Sequence, residues 1–401
     1  VKLKVNHYDH NGLLVAEYAN PASLRWAYRL GTDGPHDISY SLAMSDPGVG
    51  PASFGPKRTD FRLLIDSDIG VFPLMGGVVW AVNFTLNGDV VNVTGKDWSV
   101  ALDEPVLRFD YTHDIDEIVA NRDPTDFFLY FTHTPGISVP GTTYSATVVD
   151  VVDAILHEAR PHNEVIMLTP AYSGNGEQSV WGLACDASIS RSEMQSRRTA
   201  LVELASQDSP YGFDFWCDVD KILHLQGPRP VTPVSTPDFY LTNSSAILDG
   251  EWTNHGPKAT ETILVSGYST GARYKQVIDP ASVNMYRRWT EMSINDAQIN
   301  FASQERLDTL ARSRAYLNQF PAKELTLVVK PEDLDPNNET AFFYNWCGRV
   351  LDIDWRHPGG YWHIDAQFWI TSQEFTMDEA GNWQCSLTLD QINNPTGSNR
   401  T

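Results

Sequence analysis

The 401-residue chain is short of basic residues: 29 Lys and Arg stand against 51 Asp and Glu, giving a formal charge of −22. That balance excludes a nucleic-acid groove or an anionic membrane surface as the main partner, because both need clustered positive charge. Cysteine is also scarce. Cys185, Cys217, Cys347 and Cys385 form no C-x-x-C pair, which removes zinc-ribbon and thioredoxin-type chemistry. Their apolar and aromatic settings (Leu183-Ala184-Cys185, Phe215-Trp216-Cys217, Asn345-Trp346-Cys347) predict buried free thiols. No apolar run reaches the ~20 residues of a membrane-spanning helix. Val1-Lys2-Leu3-Lys4 has no signal-peptide hydrophobic stretch, so a soluble protein made in the cytoplasm, without stable membrane insertion, is expected. Without a secretion signal, the Asn-x-Ser/Thr patterns at Asn83, Asn92, Asn243 and Asn338 are chance matches. A phosphate-cradling glycine loop and an Asp-x-Asp-x-Asp-Gly calcium loop are both missing.

What is present fits a globular protein of about two or three domains. Hydrophobic residues make up 42% and charged residues 20%, enough apolar material for a sizeable core. The acidity has two readings: a solvated surface that keeps the protein soluble, or an acidic face repeated around a shared axis.

The most legible stretch is Ala302 to Lys330. Ser303 is a candidate N-cap, and Leu307, Leu310, Ala311 and Leu317 recur at helical spacing. Arg314 interrupts that stripe, so one side of the helix is expected to meet something polar. Pro321 ends the helix, which spans about 303–320, and Leu325, Leu327 and Val329 then alternate with polar neighbours as a half-buried strand. Strand-like segments flank it at Glu261–Val265, Gly348–Asp354, Trp362–Thr371 and Trp383–Leu389, so the helix is expected to lie on a mostly antiparallel β unit.

Residues 1–145 read as β-rich. Asn11-Gly12 predicts a hairpin between Leu3–Tyr8 and Leu13–Tyr18, and Asn87-Gly88-Asp89 a second between Val78–Leu86 and Val90–Thr94. Asp37–Ala43 and Phe61–Ile65 are further strands, Asp46–Pro56 is a loop, and Asp114–Val119 a short helix. Residues 146–232 change character. Val148–Ala159 reads as a buried helix, Val165–Leu168 as a strand, Ser190–Ser206 as an amphipathic helix, and Asp214–Asp218 with Ile222–Leu225 as a strand pair. Three prolines between Gly227 and Pro233 make a stiff boundary.

Few constellations carry chemistry. Gly267-Tyr268-Ser269-Thr270-Gly271 matches the G-x-S-x-G nucleophile elbow, with Asp354 and His357, or Asp365 and a histidine, available to complete a triad. The elbow needs a helix directly after Ser269, whereas the following segment is short, β-branched and cut by Pro280; a turn between two strands explains both glycines. His7, Asp9 and His10 read as a solvated hairpin tip in preference to a metal cluster, and His113, Asp114, Asp116 and Glu117 as a solvated acidic group. The 12 tryptophans offer a carbohydrate-binding module as an alternative to the hydrolase, but most, such as Trp80, Trp98 and Trp369, sit in alternating runs where core or interface packing is the default. No catalytic, cofactor or metal residues are assigned.

Taken as a whole, the C-terminal block resembles the C-terminal half of bacteriophage tail hub proteins, the tail-associated or minor tail proteins of long-tailed phages. The resemblance rests on Ser282–Arg288, Asn295-Asp296-Ala297, Phe320–Thr326, Gly348–Ile353 and Trp369–Asp378. Leu24-Arg25-Trp26 with Asp37–Leu42, and Gly95-Lys96-Asp97-Trp98, resemble that group's first β domain. Two departures stand out: the group often has glycine between the tyrosine and the arginines, whereas Tyr286 runs directly into Arg287, and Gly348-Arg349 replaces a Gly-Asp step.

The resemblance implies an α+β, β-dominated fold with two β-barrel-like hub domains, 1–145 and 233–392. A small α+β module at 146–232 decorates them, and 393–401 form a flexible tail. It implies a non-enzymatic virion protein of the tail tip, with actinobacterial hosts expected and no peptidase, lysozyme or receptor-binding extension after residue 390. It also implies a homotrimer that joins a hexameric tail tube to a threefold tip, with the distal tail protein ring, the tape measure protein and other minor tail proteins as partners. Genomic DNA would pass through the channel without specific binding. Arg287, Arg288 and Trp289, two charges and an aromatic in one short segment, are the candidate interface residues.

Overall fold

The structure is a computed structural model that describes most of residues 2–392. The main stretches outside the description are 51–53, 55–58, 105–126, 132–146, 157–165, 175–180, 182–186, 191–195, 206–211, 228–232, 267–272, 295–306, 316–320, 335–342, 378–381 and 393–401, besides isolated loop positions.

Seven strands open the chain: β1 (Lys2–Tyr8), β2 (Leu14–Ala19), β3 (Ala22–Arg29), β4 (Asp37–Ala43), β5 (Asp60–Ser67), β6 (Gly70–Phe84) and β7 (Val90–Asp97). Period-two alternation decides most of them; Phe61, Leu63 and Ile65 of β5 all turn inward. At the β1–β2 tip the Asp9 carboxylate accepts from the Asn11 and Leu13 backbone N–H groups, both at 2.9 Å, and Gly12 takes φ +79°. The strand β6 extends well beyond the Val78–Leu86 expectation, through glycines and Pro73. Strands β6 and β7 approach closely at Gly77, where a Cβ would lie 2.0 Å from the Lys96 carbonyl oxygen, so glycine here permits the pairing.

The middle of the chain is a small α/β body: β8 (Phe127–Phe131), α1 (Val148–Leu156), β9 (Thr169–Gly174), β10 (Ala187–Ser190), α2 (Arg197–Ala205), β11 (Asp214–Cys217) and β12 (Ile222–Gly227). Strands β11, β12 and β9 form one sheet, and β8 pairs β10. Val148, Val151, Val152 and Ile155 of α1 pack with Leu201 and Leu204 of α2 over Phe215, Leu223 and Leu225. The strand expected at Val165–Leu168 begins later, at Thr169, where β9 can pair parallel to β12.

The remaining strands, with helix α3, are β13 (Phe239–Thr242), β14 (Ile247–Pro257), β15 (Glu261–Ser266), β16 (Arg273–Ile278), α3 (Pro280–Tyr286), β17 (Thr290–Ile294), β18 (Pro321–Val329), β19 (Val350–Arg356), β20 (His363–Met377) and β21 (Trp383–Gln391). The strands at both ends of the chain share one 13-stranded sheet, in the order β14-β18-β21-β20-β3-β4-β7-β6-β5-β1-β2, with β19 and β13 branching from β20. The fold is β-dominated as expected. The barrel-like shape is replaced by an open sheet path: among the described residues no pairing closes either half.

That path contains the same unit twice. Number the strands of the N-terminal half β1, β3, β4, β5, β6, β7 as one to six, and those of the C-terminal half β13, β14, β18, β19, β20, β21 likewise. Both halves then read two-three-six-five-four-one. Five of the six strands pair antiparallel in both; the sixth, β1 or β13, pairs antiparallel in one and parallel in the other. The irregularities repeat too. The β6–β7 register shifts between Val79 and Ala81, and the β20–β21 register between Ile370 and Ser372. The β3–β4 and β14–β18 pairs each carry a shift near the start of their first strand. Matched bulges at matched places mark one architecture used twice.

The halves join where Ser372–Phe375 of β20 pair antiparallel with Arg29–Trp26 of β3. Phe375 stacks on Trp26 with centroids 4.5 Å apart and planes 11° apart, and Phe343 and Trp383 complete the aromatic cluster. Far from merely decorating the sheet, the middle body is wedged against both halves. Arg198 of α2 donates to the carbonyls of Gly31 (3.0 Å) and Ser99 (2.7 Å) on the N-terminal side. Trp369 Nε1 donates to Asp214 (3.1 Å) and Gln226 to the Gly348 carbonyl (3.0 Å) on the C-terminal side.

Residues 258–320 interrupt the β14–β18 hairpin, whose ends meet at Pro257 and Pro321. They form a separate three-stranded sheet, β16-β15-β17. Helical residues are described at Leu307, Asp308, Ala311, Arg312, Arg314 and Ala315; the helix ends, including Ser303, lie outside the described residues. Leu307 and Ala311 pack on Leu264 and Val277, so this helix covers the inserted sheet and not the large one. Arg314, the break in the apolar stripe, donates to Ser293 Oγ at 3.1 Å.

Candidate functional site

The candidate interface segment lies where α3 hands over to β17. Asp279 caps α3 by accepting from the Ser282 N–H at 2.6 Å, and Pro280 fits its first turn. The helix stops at Arg287, which adopts φ +70° and ψ −178°, a backbone state that glycine enters at little cost. An arginine with this φ holds a strained conformation.

Arg288 lies over Glu261 with its own side chain 59% exposed. Its guanidinium grips Glu261 with Nε to Oε2 at 2.8 Å and Nη2 to Oε1 at 2.5 Å. Thr290 Oγ1 and Gln276 Nε2 donate to the same carboxylate, each at 2.5 Å. Glu261 is 1% exposed. The Arg288 hydrogen bonds first, then those of Thr290 and Gln276, pull its carboxyl down to about 2. The backbone is latched as well: Thr260 Oγ1 donates to the Arg287 carbonyl, and the Trp289 carbonyl accepts from the N–H groups of Thr260 and Glu261. Arg288 therefore serves the insert's own integrity through Glu261, and Trp289 beside it is 57% exposed. Sequence reasoning missed Glu261, which lies 27 residues before its partner.

The sheet face turned away from the helix presents Tyr274, Ile278, Met292 and Ile294, all exposed, around the half-buried Ile263 and Val265. Register places them in rows: Val265 opposite Tyr274 and Ile294, and Ile263 opposite Met292.

The hydrolase constellation does not assemble among the described residues. Ser269 lies outside them, but its flanks are β15 and β16, paired antiparallel from Ser266↔Arg273 onward. From Arg273 onward the chain is a strand, whereas a nucleophile elbow is followed by a helix. Asp354 pairs with His363 (2.7 Å) in place of His357, in an exposed setting on the large sheet. His7 corrects the solvated-tip reading. It is buried in β1, hydrogen-bonded to the Tyr40 hydroxyl and packed edge-on against Tyr18 and Phe54, while Asp9 and His10 stay at the turn. His113, Asp114, Asp116 and Glu117 lie outside the described residues, among which no group of three or more metal-ligating side chains occurs. Cys217, Cys347 and Cys385 are buried free thiols, and burial pushes Cys217 and Cys385 up; Cys185 lies outside the description. No helix among the described residues is long and apolar enough to cross a membrane.

Neither a protein-family model nor a curated protein matches the sequence. Solved structures do. A tail protein from Neisseria meningitidis superposes with a TM-score of 0.60 at 13% identity, covering 97% of each chain. The 43 kDa tail protein of prophage MuSo2 from Shewanella oneidensis gives 0.61 at 11% identity, over 97% of this chain and 98% of that one. Prophage tail protein gp18 from Listeria monocytogenes gives 0.55 at 10% identity, over 98% and 95%. Over nearly the whole of each chain, this protein shares the fold of these three tail proteins.

Proposed function

We propose that the chain is a structural component of a phage tail tip, a trimeric hub that joins a hexameric tail tube to threefold parts below it. The observation that carries this reading is the repeated strand order. A chain that presents two nearly equivalent units lets three copies offer six attachment positions, which is what a six-to-three adaptor requires. The middle body, hydrogen-bonded to both units, holds them at a fixed mutual angle. The domain division 1–145, 146–232 and 233–392 is retained in this reading, with 258–320 as an outgrowth of the last.

Three copies at −22 each carry −66. On the wall of a central channel that charge repels DNA and lets it pass without binding. The distal tail protein ring, the tape measure protein and other minor tail proteins are the neighbours this reading assigns. Trp289, with the outward face of the inserted sheet, supplies an aromatic contact to one of them. The work is done by interfaces, and no catalytic residue is assigned.

The test is the mass of the purified full chain in solution, followed by class averaging of negatively stained particles. A mass of three chains and a threefold ring with a central hole are expected. A ring of another symmetry, or a chain that stays monomeric at every concentration, overturns the reading.

A further inference from the structure

The two units differ at one edge. In the C-terminal unit the second half of β20 has β21 on one side and β3 on the other. In the N-terminal unit the second half of β6 has β7 on one side, and no described strand on the other. At the opposite end of the sheet path stands β14, the counterpart of β3, paired to β18. One half of the intrachain junction is thus repeated at each end of the sheet.

The registers allow a residue-by-residue match. Counted from the bulges, Ser372, Gln373, Glu374 and Phe375 of β20 correspond to Ala81, Val82, Asn83 and Phe84 of β6. On the other strand, Trp26 lies opposite Ile38, which lies opposite Gly95; Trp252 lies opposite Leu325, which lies opposite Leu389. Gly95 and Leu389 are each the last paired residue before the bulge, so Trp252 corresponds to Trp26. The aromatic pair of the intrachain junction, Phe375 on Trp26, therefore recurs as Phe84 at one end of the sheet and Trp252 at the other. Burial agrees. Thr371, Gln373 and Phe375 are buried, whereas their counterparts are Trp80 at 58% exposed, Val82 half-buried and Phe84 at 57% exposed.

We infer that β6 of one copy pairs antiparallel with β14 of a second copy, with Phe84 opposite Trp252, Asn83 opposite Thr253 and Val82 opposite Asn254. The inference rests on the assembly reading above in taking the partner to be another copy of this chain. A natural protein covers a strand edge bearing large apolar side chains, because unpaired N–H and C=O groups beside them invite pairing. The contact is head-to-tail, joining two different surfaces, so it propagates until the rotation closes a ring. Its chemistry is not a copy of the intrachain junction. Arg25 grips Glu374 there with two hydrogen bonds of 2.9 and 2.8 Å, whereas the corresponding residues are Glu251 and Asn83. An amide facing a carboxylate replaces an ion pair, so added salt screens the repulsion between acidic copies without weakening the contact.

The test places Asn83→Cys and Thr253→Cys together in the full chain. Each single variant, and the off-register pair Asn83→Cys with Asp249→Cys, serves as a control against the native thiols. Directly opposite residues in an antiparallel pair have Cα separations of about 4.5–5.5 Å, within disulfide range. After oxidation, non-reducing electrophoresis is expected to show a ladder that stops at three chains in the double variant and no ladder in the controls. No ladder in a protein whose solution mass is three chains overturns the edge pairing and leaves the hub reading standing. A ladder that runs past three supports the edge pairing and overturns the threefold ring. No ladder from a monomeric chain overturns both. In the otherwise native chain, Phe84→Glu is expected to weaken assembly by at least ~tenfold with unchanged circular dichroism; assembly unaltered by it overturns the pairing.

Discussion

The second half of β20 and the second half of β6 follow the same path, bulge at the same place and reach a phenylalanine four residues later, yet Phe375 is fully buried and Phe84 is mostly in solvent. Nothing in the two strands themselves accounts for the difference. It comes from the strand beside them: β20 has β3, and β6 has no described neighbour on that edge. A second contrast accompanies it. The N-terminal unit links β3 to β4 by a short loop, whereas the C-terminal unit opens the corresponding hairpin for residues 258–320, latched at its base by Glu261. The duplicated frame has been specialised at one edge and in one loop.

The largest effect separates the two phenylalanines. Phe375→Ala is expected to destabilise the chain by about 3–5 kcal/mol, the cost of emptying an aromatic core site. Phe84→Ala should change chemical denaturation of the monomer by less than about 0.5 kcal/mol, as exposed sites do. Equal losses would break the comparison. The next effect belongs to the insert. Glu261→Gln removes the acceptor that four donor groups share, at about 1–3 kcal/mol, and should loosen hydrogen-exchange protection in β15–β17 while leaving β3–β7 untouched. Its pH dependence has a definite sign. The folded carboxyl lies at about 2 against an ordinary 4.5. The contribution is therefore complete above 4.5 and is lost as pH falls through 2, and the gap between parent and variant should close over that window.

Arg287→Gly works in the opposite direction. Relief of a non-glycine residue at φ +70° should stabilise the insert by about 1 kcal/mol, read as a raised thermal midpoint. The smallest effect is expected from Arg25→Ala. Its paired carboxylate lies in a partly exposed setting, so loss of the bridge should cost no more than about 1 kcal/mol. A larger loss would mean that the ion pair, and not the aromatic stack, holds the two units together.

Alternation made β1, β5, β18 and β21 readable, because each has one buried face. The first half of β6 was not, since Gly76, Gly77 and Pro73 carry turn chemistry and their role is close approach to a neighbouring strand. Strand β16 followed from the turn read at Gly267–Gly271, but β17 escaped notice for another reason: one of its faces is exposed and apolar, which blurs the pattern. The duplication is invisible in the letters. Gly95 corresponds to Leu389 and Asn83 to Glu374, and what the halves share is backbone pairing and bulge position. Within the interface segment Trp289 is exposed, and the capture of Arg288 by Glu261 depends on a fold that brings distant strands together.

The β20–β3 junction also sets a timetable. Arg25 and Glu374 are separated by 349 residues. At a synthesis rate of about 5–20 residues per second, Trp26 emerges from the ribosome about 20–70 s before Phe375 exists to cover it. Throughout that interval the N-terminal unit carries a bare indole and an unfilled strand edge. The nascent chain therefore spends about a minute with its stickiest surface in solvent, and production of the folded protein should respond to translation speed and chaperone supply more than its finished stability would indicate.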